Sequence, residues 1–179
     1  DTGNHAIRAV DLLTGQVTTL IGTGTRATAY PPEPGDAPAV ALSSPWDLAL
    51  DNIRLYIAMA GSHQIWSYRL SNGRVEPLAG SGIGGLPDGP APAAGPGPPG
   101  GGPVAGDGRL YFADTEASSL RYVTLTGRPA VTTLAGGGRD LFAFGDRDGI
   151  GAAARLQHPQ GVTFANGVLY IVDTYNHKI

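Results

Sequence analysis

The chain has 179 residues, with 12 basic and 15 acidic side chains and a formal net charge of −3, so its length suits a single domain. The basic residues are scattered and no long apolar run occurs, so we predict neither a nucleic-acid partner nor a membrane segment. There are no cysteines, which excludes disulfides and zinc–cysteine sites in this sequence and fits a cytoplasmic protein.

The chain opens on a short polar motif, Asp1–Ile7, that returns three times and is most complete in Leu169–Ile179. Aligned on the position of Asp1, the four copies fall at residues 1, 59, 114 and 173, with spacings of 58, 55 and 59. A period of this length, with one strand-like signature in each copy, indicates a repeat architecture.

The unit at residues 42–82 contains four strand candidates, and Asn72-Gly73 before the last is a strong hairpin signal. The candidates are Trp46–Leu50, Arg54–Ala58, His63–Leu70 and Arg74–Ala79. We expect the second strands of three units to centre on Leu55–Ala58, Leu110–Ala113 and Leu169–Val172. No segment has helical periodicity, so we expect helix only in short turns, such as one within Gly149–Gln157.

Four-stranded antiparallel units that repeat radially are the blades of a β-propeller. The sequence therefore predicts an all-β fold, a partial propeller of about three four-stranded blades. We assign the end of one blade to 1–24, a complete blade to 42–82, a blade with an irregular first strand to 104–138, and the start of the next to 156–179. Inter-blade loops are assigned to 24–41, 82–103 and 138–155.

The irregular strand is predicted from Gly95–Pro103, where glycine and proline replace a normal strand sequence. Proline cannot donate a hydrogen bond to a neighbouring strand, so this stretch should pair and pack weakly. Either this blade lacks an ordinary innermost strand, or the reading frame is locally wrong.

The repeat resembles the NHL repeat, through Pro159-Gln-Gly161-Val162 followed by Leu169–Ile179. The copy at 42–66 departs from that pattern, with Asp47 in place of glycine and Met59 in place of the motif aspartate. Longer strings, such as Leu141–Asp146, resemble an NHL family in which a thioredoxin-like domain precedes a six-bladed propeller. The resemblance implies that this chain is about half of such a propeller, and that any redox function belongs to the thioredoxin-like domain.

No catalytic, cofactor-binding or metal-binding set emerges from the residues. His5, His63 and His177 are equivalent positions of different repeats, so radial symmetry holds them apart. Asp146-Arg-Asp148-Gly149 resembles the start of a calcium loop, but the glycine comes too early and the final position would be Gln157. Asp47 is the candidate axial carboxylate, because it stands at the entry to an innermost strand, although one carboxylate is not a site.

One face of the propeller is the candidate partner-binding face. In an up-and-down blade, the turn between the second and third strands shares a face with the connection to the next blade, and loops carry function more often than the scaffold. The candidate contact residues are Asn4, His5, His63, Phe142, Phe144, Asp146, Asp148, Asn176 and His177.

The sequence therefore predicts a non-catalytic interaction scaffold that presents loops to a protein partner and needs no cofactor. The alternative is a propeller hydrolase or lyase whose axial metal site is completed by blades outside this chain. We also expect uncovered blade faces, built from side chains such as Tyr56, Leu110, Phe112 and Tyr170. With these faces exposed, the isolated chain should be marginally stable, aggregate, or pair with a second copy.

Overall fold

The computed structural model describes residues 1–84, 87–95, 104–137 and 140–179, and in these ranges the chain is all-β. Helix in the described ranges is limited to three-residue 3₁₀ turns, which confirms the predicted fold class. The strands are β1 (Ile7–Val10), β2 (Val17–Ile21), β3 (Gly35–Asp36), β4 (Pro45–Leu50), β5 (Arg54–Met59), β6 (Gln64–Arg69), β7 (Arg74–Ala79), β8 (Gly89–Pro90), β9 (Val104–Gly106), β10 (Arg109–Asp114), β11 (Ser119–Thr124), β12 (Ala130–Gly136), β13 (Gly161–Ala165) and β14 (Val168–Val172). The 3₁₀ turns are Thr2–Asn4, Ala60–Ser62, Ala91–Ala93, Gly151–Ala153 and Thr174–Asn176.

The strands form antiparallel sheets that follow one another along the chain. Two sheets have five strands, in the orders β3-β7-β6-β5-β4 and β8-β12-β11-β10-β9. Two sheets have two strands, β1-β2 before them and β13-β14 after them. Contacts join β4 to β9 and β9 to β13, so the first long strand of each sheet lies beside that of the next, as at the hub of a propeller.

The three strands expected at the second position of each unit are confirmed as β5, β10 and β14. They form because apolar residues fill almost every position; β5 and β10 are largely buried, whereas β14 is partly exposed. The predicted hairpin at Asn72-Gly73 joins β6 to β7, and Gly73 adopts the positive φ of 72° that such a turn requires.

Each five-stranded sheet contains a two-residue edge strand that the sequence did not predict. Gly35 pairs with Val75 and Asp36 pairs with Arg74, while Gly89 pairs with Val131. Both edge strands come from the segment that precedes the blade and cover the outer edge of its last strand. This covering matters because an open strand edge is a template for pairing with other chains.

The prediction for Gly95–Pro103 concerns residues that, apart from Gly95, lie outside the described residues. Directly after them, β9 pairs with β10 through three residues, with Tyr111 opposite Val104.

The core lies between blades. One buried cluster joins the first five-stranded sheet to the second and includes Tyr56, Ile65, Leu110 and Phe112. A second cluster joins β1-β2 to the first five-stranded sheet and includes Trp66. Each fully buried side chain of this size contributes roughly 1.5–3 kcal/mol, so blade-to-blade packing is the main source of stability.

The expectation that Tyr56, Leu110 and Phe112 lie on uncovered faces is therefore wrong. They are at most 2% exposed because each faces a neighbouring blade of this same chain. Tyr170 of β14 does follow the expectation and is 48% exposed. Among the described residues, no helix has the length and apolar character needed to cross a membrane.

Candidate functional site

The repeated motif folds into a 3₁₀ turn that ends on a residue in the left-handed region. His5, His63 and His177 have φ of 48°, 50° and 55°, and Ser118 occupies the same position with φ of 47°. In the three histidine copies the left-handed residue follows a three-residue 3₁₀ turn and donates its backbone N–H to the first carbonyl of that turn. The three histidines therefore share one backbone conformation, which the motif determines.

In two of its copies this turn bonds its blade to the following one. Thr2 donates its hydroxyl to the Pro45 carbonyl over 2.6 Å, and the Ser44 N–H donates to Nδ1 of His5 over 3.0 Å. Two blades later the same two links recur. Thr115 donates to the Pro159 carbonyl over 2.7 Å, and the His158 N–H donates to Oγ of Ser118 over 3.3 Å. His5 and Ser118 are thus structural acceptors at two blade junctions.

The motif aspartates stabilise their own turns, as an aspartate before a threonine at a strand end favours. Asp1 and Asp173 accept hydrogen bonds from the side-chain amides of Asn4 and Asn176 respectively. Asp173 also accepts from the Gln157 N–H over 2.7 Å, which ties the turn to the preceding loop. Asn4 and Asn176 therefore stabilise the conformation of their own turns.

The motif aspartate of the third blade is completely buried and paired with a buried arginine. Arg121 donates to Asp114 over 2.8 Å and to Asp88 over 3.0 Å, and it also contacts the carbonyls of Pro87 and Gly95. Asp88 accepts in addition from the Thr133 hydroxyl. This network holds the inter-blade segment 87–95 against its blade.

The second blade replaces the pair by apolar residues. Met59 and Trp66 stand at the positions of Asp114 and Arg121, and both are fully buried. A buried ion pair and a well-packed apolar pair are alternative solutions of similar stability, so one backbone accepts either.

An aromatic patch lies where the third and fourth blades meet, on the face that carries the motif turns. We define the aromatic patch as Leu141, Phe142, Phe144, His158 and Tyr175. The His158 ring stacks on Tyr175 with centroids 4.6 Å apart, and Phe144 is tilted against His158 at 6.4 Å. Phe142 is 84% exposed and Tyr175 is 57% exposed, so the patch is open to solvent.

Hydrogen bonds within the loop and from the turn of the fourth blade order the segment that carries the patch. Asp140 accepts from the Phe142 N–H over 2.9 Å, and Asn176 donates its side-chain amide to the Gly145 carbonyl over 2.7 Å. The Tyr175 N–H donates to the Gln157 carbonyl over 3.1 Å. The patch therefore rests on fixed backbone at both ends.

The structure brings some of the predicted contact residues together. Phe144 packs against His158, and Asn176 donates a hydrogen bond to the adjacent Gly145 carbonyl. His177 follows Asn176 in the chain, and Phe142 lies on the same loop as Phe144. Asp146 forms an exposed ion pair with Lys178 over 2.6 Å, and Asp148 follows it in the same loop.

Other predicted residues lie on different turns. Asn4 and His5 are in the first turn, whose contacts run to Ser44 and Pro45. His63 is half-buried in the turn of the second blade and packs near Gly84. These three residues have no described contact with the aromatic patch.

Sequence reasoning missed Tyr175 and His158 as members of this surface. Tyr175 occupies the variable position of the motif, where the other copies have Gly3, Gly61 and Glu116. An aromatic residue at that position was the available signal. His158 gave none, because its contact with Tyr175 depends on how two loops meet.

Asp47 lies in the innermost strand β4, at a register irregularity between Pro45 and Asp47. Its carboxylate is exposed and accepts from the adjacent Leu48 N–H over 2.7 Å. Across residues 1–84, 87–95, 104–137 and 140–179, no three histidine, cysteine, aspartate or glutamate side chains are placed to hold a metal ion.

The repeats and sheets together are those of an NHL-type β-propeller, present here as part of a ring. The sequence resembles NHL repeat-containing protein 2: it is 42% identical to the Bos taurus protein and 39% identical to the Homo sapiens protein, covering 100% of this chain and 28% of each relative. It is also 41% identical to SUPPRESSOR OF QUENCHING 1, chloroplastic, of Arabidopsis thaliana, covering 100% of this chain and 18% of that protein. The chain thus spans between about a fifth and about a quarter of the length of these relatives. No protein-family model matches it.

Solved structures show the same fold at low identity. A Bacteroides thetaiotaomicron protein of unknown function superimposes with a TM-score of 0.75 at 20% identity, over 98% of this chain and 41% of the other. An auxiliary nutrient binding protein from the same organism gives 0.69 at 22% identity, over 99% of this chain and 42% of the other.

Proposed function

We propose that this chain is a non-catalytic scaffold that binds a protein partner through the aromatic patch. The observation that carries the proposal is the packing of Phe144 and Tyr175, both exposed, against the His158 ring, with Phe142 exposed on the same hydrogen-bonded loop as Phe144. Contiguous exposed aromatic side chains mark interaction surfaces, and aromatic residues are enriched in protein interfaces.

The anchoring of the loop favours binding. A surface that is already ordered loses less conformational freedom when a partner docks. Asn176 holds the loop at Gly145, and Asp140 fixes the Phe142 backbone. A partner would thus meet a prearranged group of rings.

The proposal extends to the setting of the chain. Since the chain covers 28% or less of its relatives, we propose that further blades and a thioredoxin-like domain accompany it in a longer protein. We propose the cytoplasm as its compartment because it contains no cysteine that would need an oxidising one. Fractionation of the cells that make the protein tests the compartment.

Site-specific crosslinking tests the binding proposal. A photoreactive phenylalanine analogue is placed at Phe142 in the intact protein, in the cells that make it. We expect one discrete crosslinked protein, and we expect it to disappear when Phe144→Ser and Tyr175→Ser are added. The two added substitutions leave the crosslinker in place and remove only its neighbours.

The matched control places the same analogue at Leu13, which is 98% exposed in the turn between β1 and β2. Because this turn lies at the opposite ends of the strands, it should give no such product. Equal products from Phe142 and Leu13, or a Phe142 product that survives the two serine substitutions, would contradict the proposal.

A further inference from the structure

A second surface feature lies on the opposite face of the propeller, between the second and third blades. It is a cleft of about 510 Å³ whose lining includes Arg54, Arg69, Ile53 and Leu125. Arg54 begins β5 and Arg69 ends β6, so both lie at the strand ends remote from the motif turns. The aromatic patch therefore plays no part in this cleft.

The cleft holds an arginine whose guanidinium has no hydrogen bond in the described parts of the chain, although its charge lies near the Asp51 carboxylate. The Arg54 guanidinium makes no hydrogen bond or ion pair with any residue in the described parts of the chain. Arg69 is held only loosely, since its guanidinium lies 3.8 Å from the Glu76 carboxylate and remains 37% exposed. Two cationic groups thus face one opening.

The carboxylates beside these arginines are already occupied. Asp51 accepts from the backbone N–H groups of Ile53 and Arg54 and from the Tyr56 hydroxyl, each over 2.7 Å. Although partial burial opposes it, these hydrogen bonds and the positive charge of Arg54 hold the pKa of Asp51 below its ordinary value. Asp107 in turn accepts from the Tyr111 hydroxyl. Neither carboxylate accepts a hydrogen bond from the Arg54 guanidinium.

In the next blade, the arginine at the equivalent position has partners within the protein. Arg109 is the repeat equivalent of Arg54 and bonds to Asp107 over 3.3 Å, while its guanidinium lies 4.9 Å from the Tyr122 ring centroid. Its neighbour Tyr111 stacks on Phe164 of the fourth blade at 6.0 Å. Arg109 therefore has a carboxylate and an aromatic ring of the protein beside it, whereas the Arg54 guanidinium has no hydrogen bond to a described residue.

From this contrast we infer that the cleft binds an organic carboxylate, with its carboxylate on the Arg54 guanidinium and its hydrocarbon part against Ile53 and Leu125. A guanidinium fork matches a carboxylate through two parallel hydrogen bonds. Ile53 is 59% exposed and Leu125 is half-buried, so the cleft offers an apolar wall beside its charge. Arg69 supplies a second positive charge at the rim.

Two probes distinguish a free acid from an acidic peptide side chain. Hexanoate represents the free acid, and N-acetyl-Leu-Glu-amide represents the side chain, with hexanamide and N-acetyl-Leu-Gln-amide as their neutral counterparts. Titrations are followed by NMR at the amide signals of Arg54 and Thr126. We expect saturable shifts with at least one acid, and at least tenfold weaker binding of its neutral counterpart.

Variants locate the binding. Arg54→Gln should weaken the acid at least tenfold, while Arg74→Gln, which makes the same charge change at an arginine paired with Asp36, should not. Should Arg54→Gln lose the dispersed spectrum of a folded protein, Arg54→Lys keeps the charge and should still bind several-fold more weakly.

Three results would overturn the inference: no saturable shift with either acid, equal weakening by Arg54→Gln and Arg74→Gln, or displacement of the acid by inorganic phosphate at equal concentration. The last result would show attraction of any small anion.

Discussion

Nδ1 of His5 accepts a hydrogen bond from the backbone N–H of Ser44, with the two nitrogens 3.0 Å apart. His5 belongs to one blade and Ser44 to the start of the next. Ser118 does the same for His158 with a hydroxyl in place of the ring. At these two positions the side chain contributes a hydrogen-bond acceptor, which either an imidazole nitrogen or a hydroxyl oxygen can supply. Serine can therefore replace histidine there.

Replacing His5 by alanine should therefore speed hydrogen exchange at the Ser44 amide. The lost acceptor leaves a partly buried N–H unsatisfied, which costs about 1–3 kcal/mol. Exchange of that amide, measured by NMR, should rise at least tenfold. The control is His177→Ala, since the His177 side chain has no hydrogen-bond partner among the described residues; an equal effect of both variants on the Ser44 amide would contradict the prediction.

Arg121→Met should destabilise the chain by about 3–5 kcal/mol, because it leaves the buried Asp114 and its neighbour Asp88 without their cation. The matched change is Arg8→Met. Arg8 occupies the equivalent position and pairs with Asp1 over 3.3 Å, but its side chain is 40% exposed. Such exposed pairs contribute about 0–1 kcal/mol. Urea unfolding of the two variants measures the difference, and similar midpoints would refute the role given to burial.

Gly136→Ala should also be costly. Gly136 ends β12 with φ of 94°, and an added Cβ would lie 2.5 Å from the Ser118 carbonyl oxygen. Strain in this region costs on the order of 1–3 kcal/mol, and the close contact adds to it. Gly15→Ala is the control, since Gly15 has φ of 72° but no atom within 4 Å of the added carbon. Thermal melting should show the larger decrease for Gly136→Ala; the opposite order would contradict the close contact.

Stability should fall as the pH rises above about 10, the ordinary pKa of tyrosine. Burial and the hydrogen bond to Asp51 raise the pKa of Tyr56, so the folded chain keeps a proton that the unfolded chain releases. This contribution is complete below that pH and is lost as the pH rises towards the folded pKa. Urea unfolding between pH 8 and 12 should give a shallower decline for Tyr56→Phe. The exposed Tyr30, changed in the same way, should leave the decline as it is.

Much of the fold could be predicted because one unit recurs with fixed spacing. The apolar runs centred on Leu55 and Leu110 could only be strands, and Asn72-Gly73 fixed the direction of a hairpin. The edge strands β3 and β8 could not be predicted. Each has two residues and no alternation, and it exists only because the blade behind it offers an unpaired edge.

The surfaces were harder to predict, because they depend on contacts between distant residues. Phe142 and Phe144 stood out as aromatic residues in a loop, but their grouping with His158 and Tyr175 needed the folded loops. The cleft joins Arg54 to Leu125, which are far apart in sequence and share no motif. A guanidinium without a hydrogen bond can be recognised only when its surroundings are known.

The two-residue edge strands have a consequence for how such a chain can change over generations. Gly35 precedes its blade and pairs with Val75 near the blade's end. The chain therefore runs from the outer edge of the sheet to the innermost strand and back to the outer edge. Gly89 and Val131 close the following blade in the same way. A stretch such as 35–79 is thus a self-closing cassette. Copying or deleting the whole stretch never separates its first strand from its last strand, so neither strand is left without its hydrogen-bond partner. A break inside the stretch does separate them. Gain and loss of such cassettes is therefore a low-cost route to propellers with different numbers of blades.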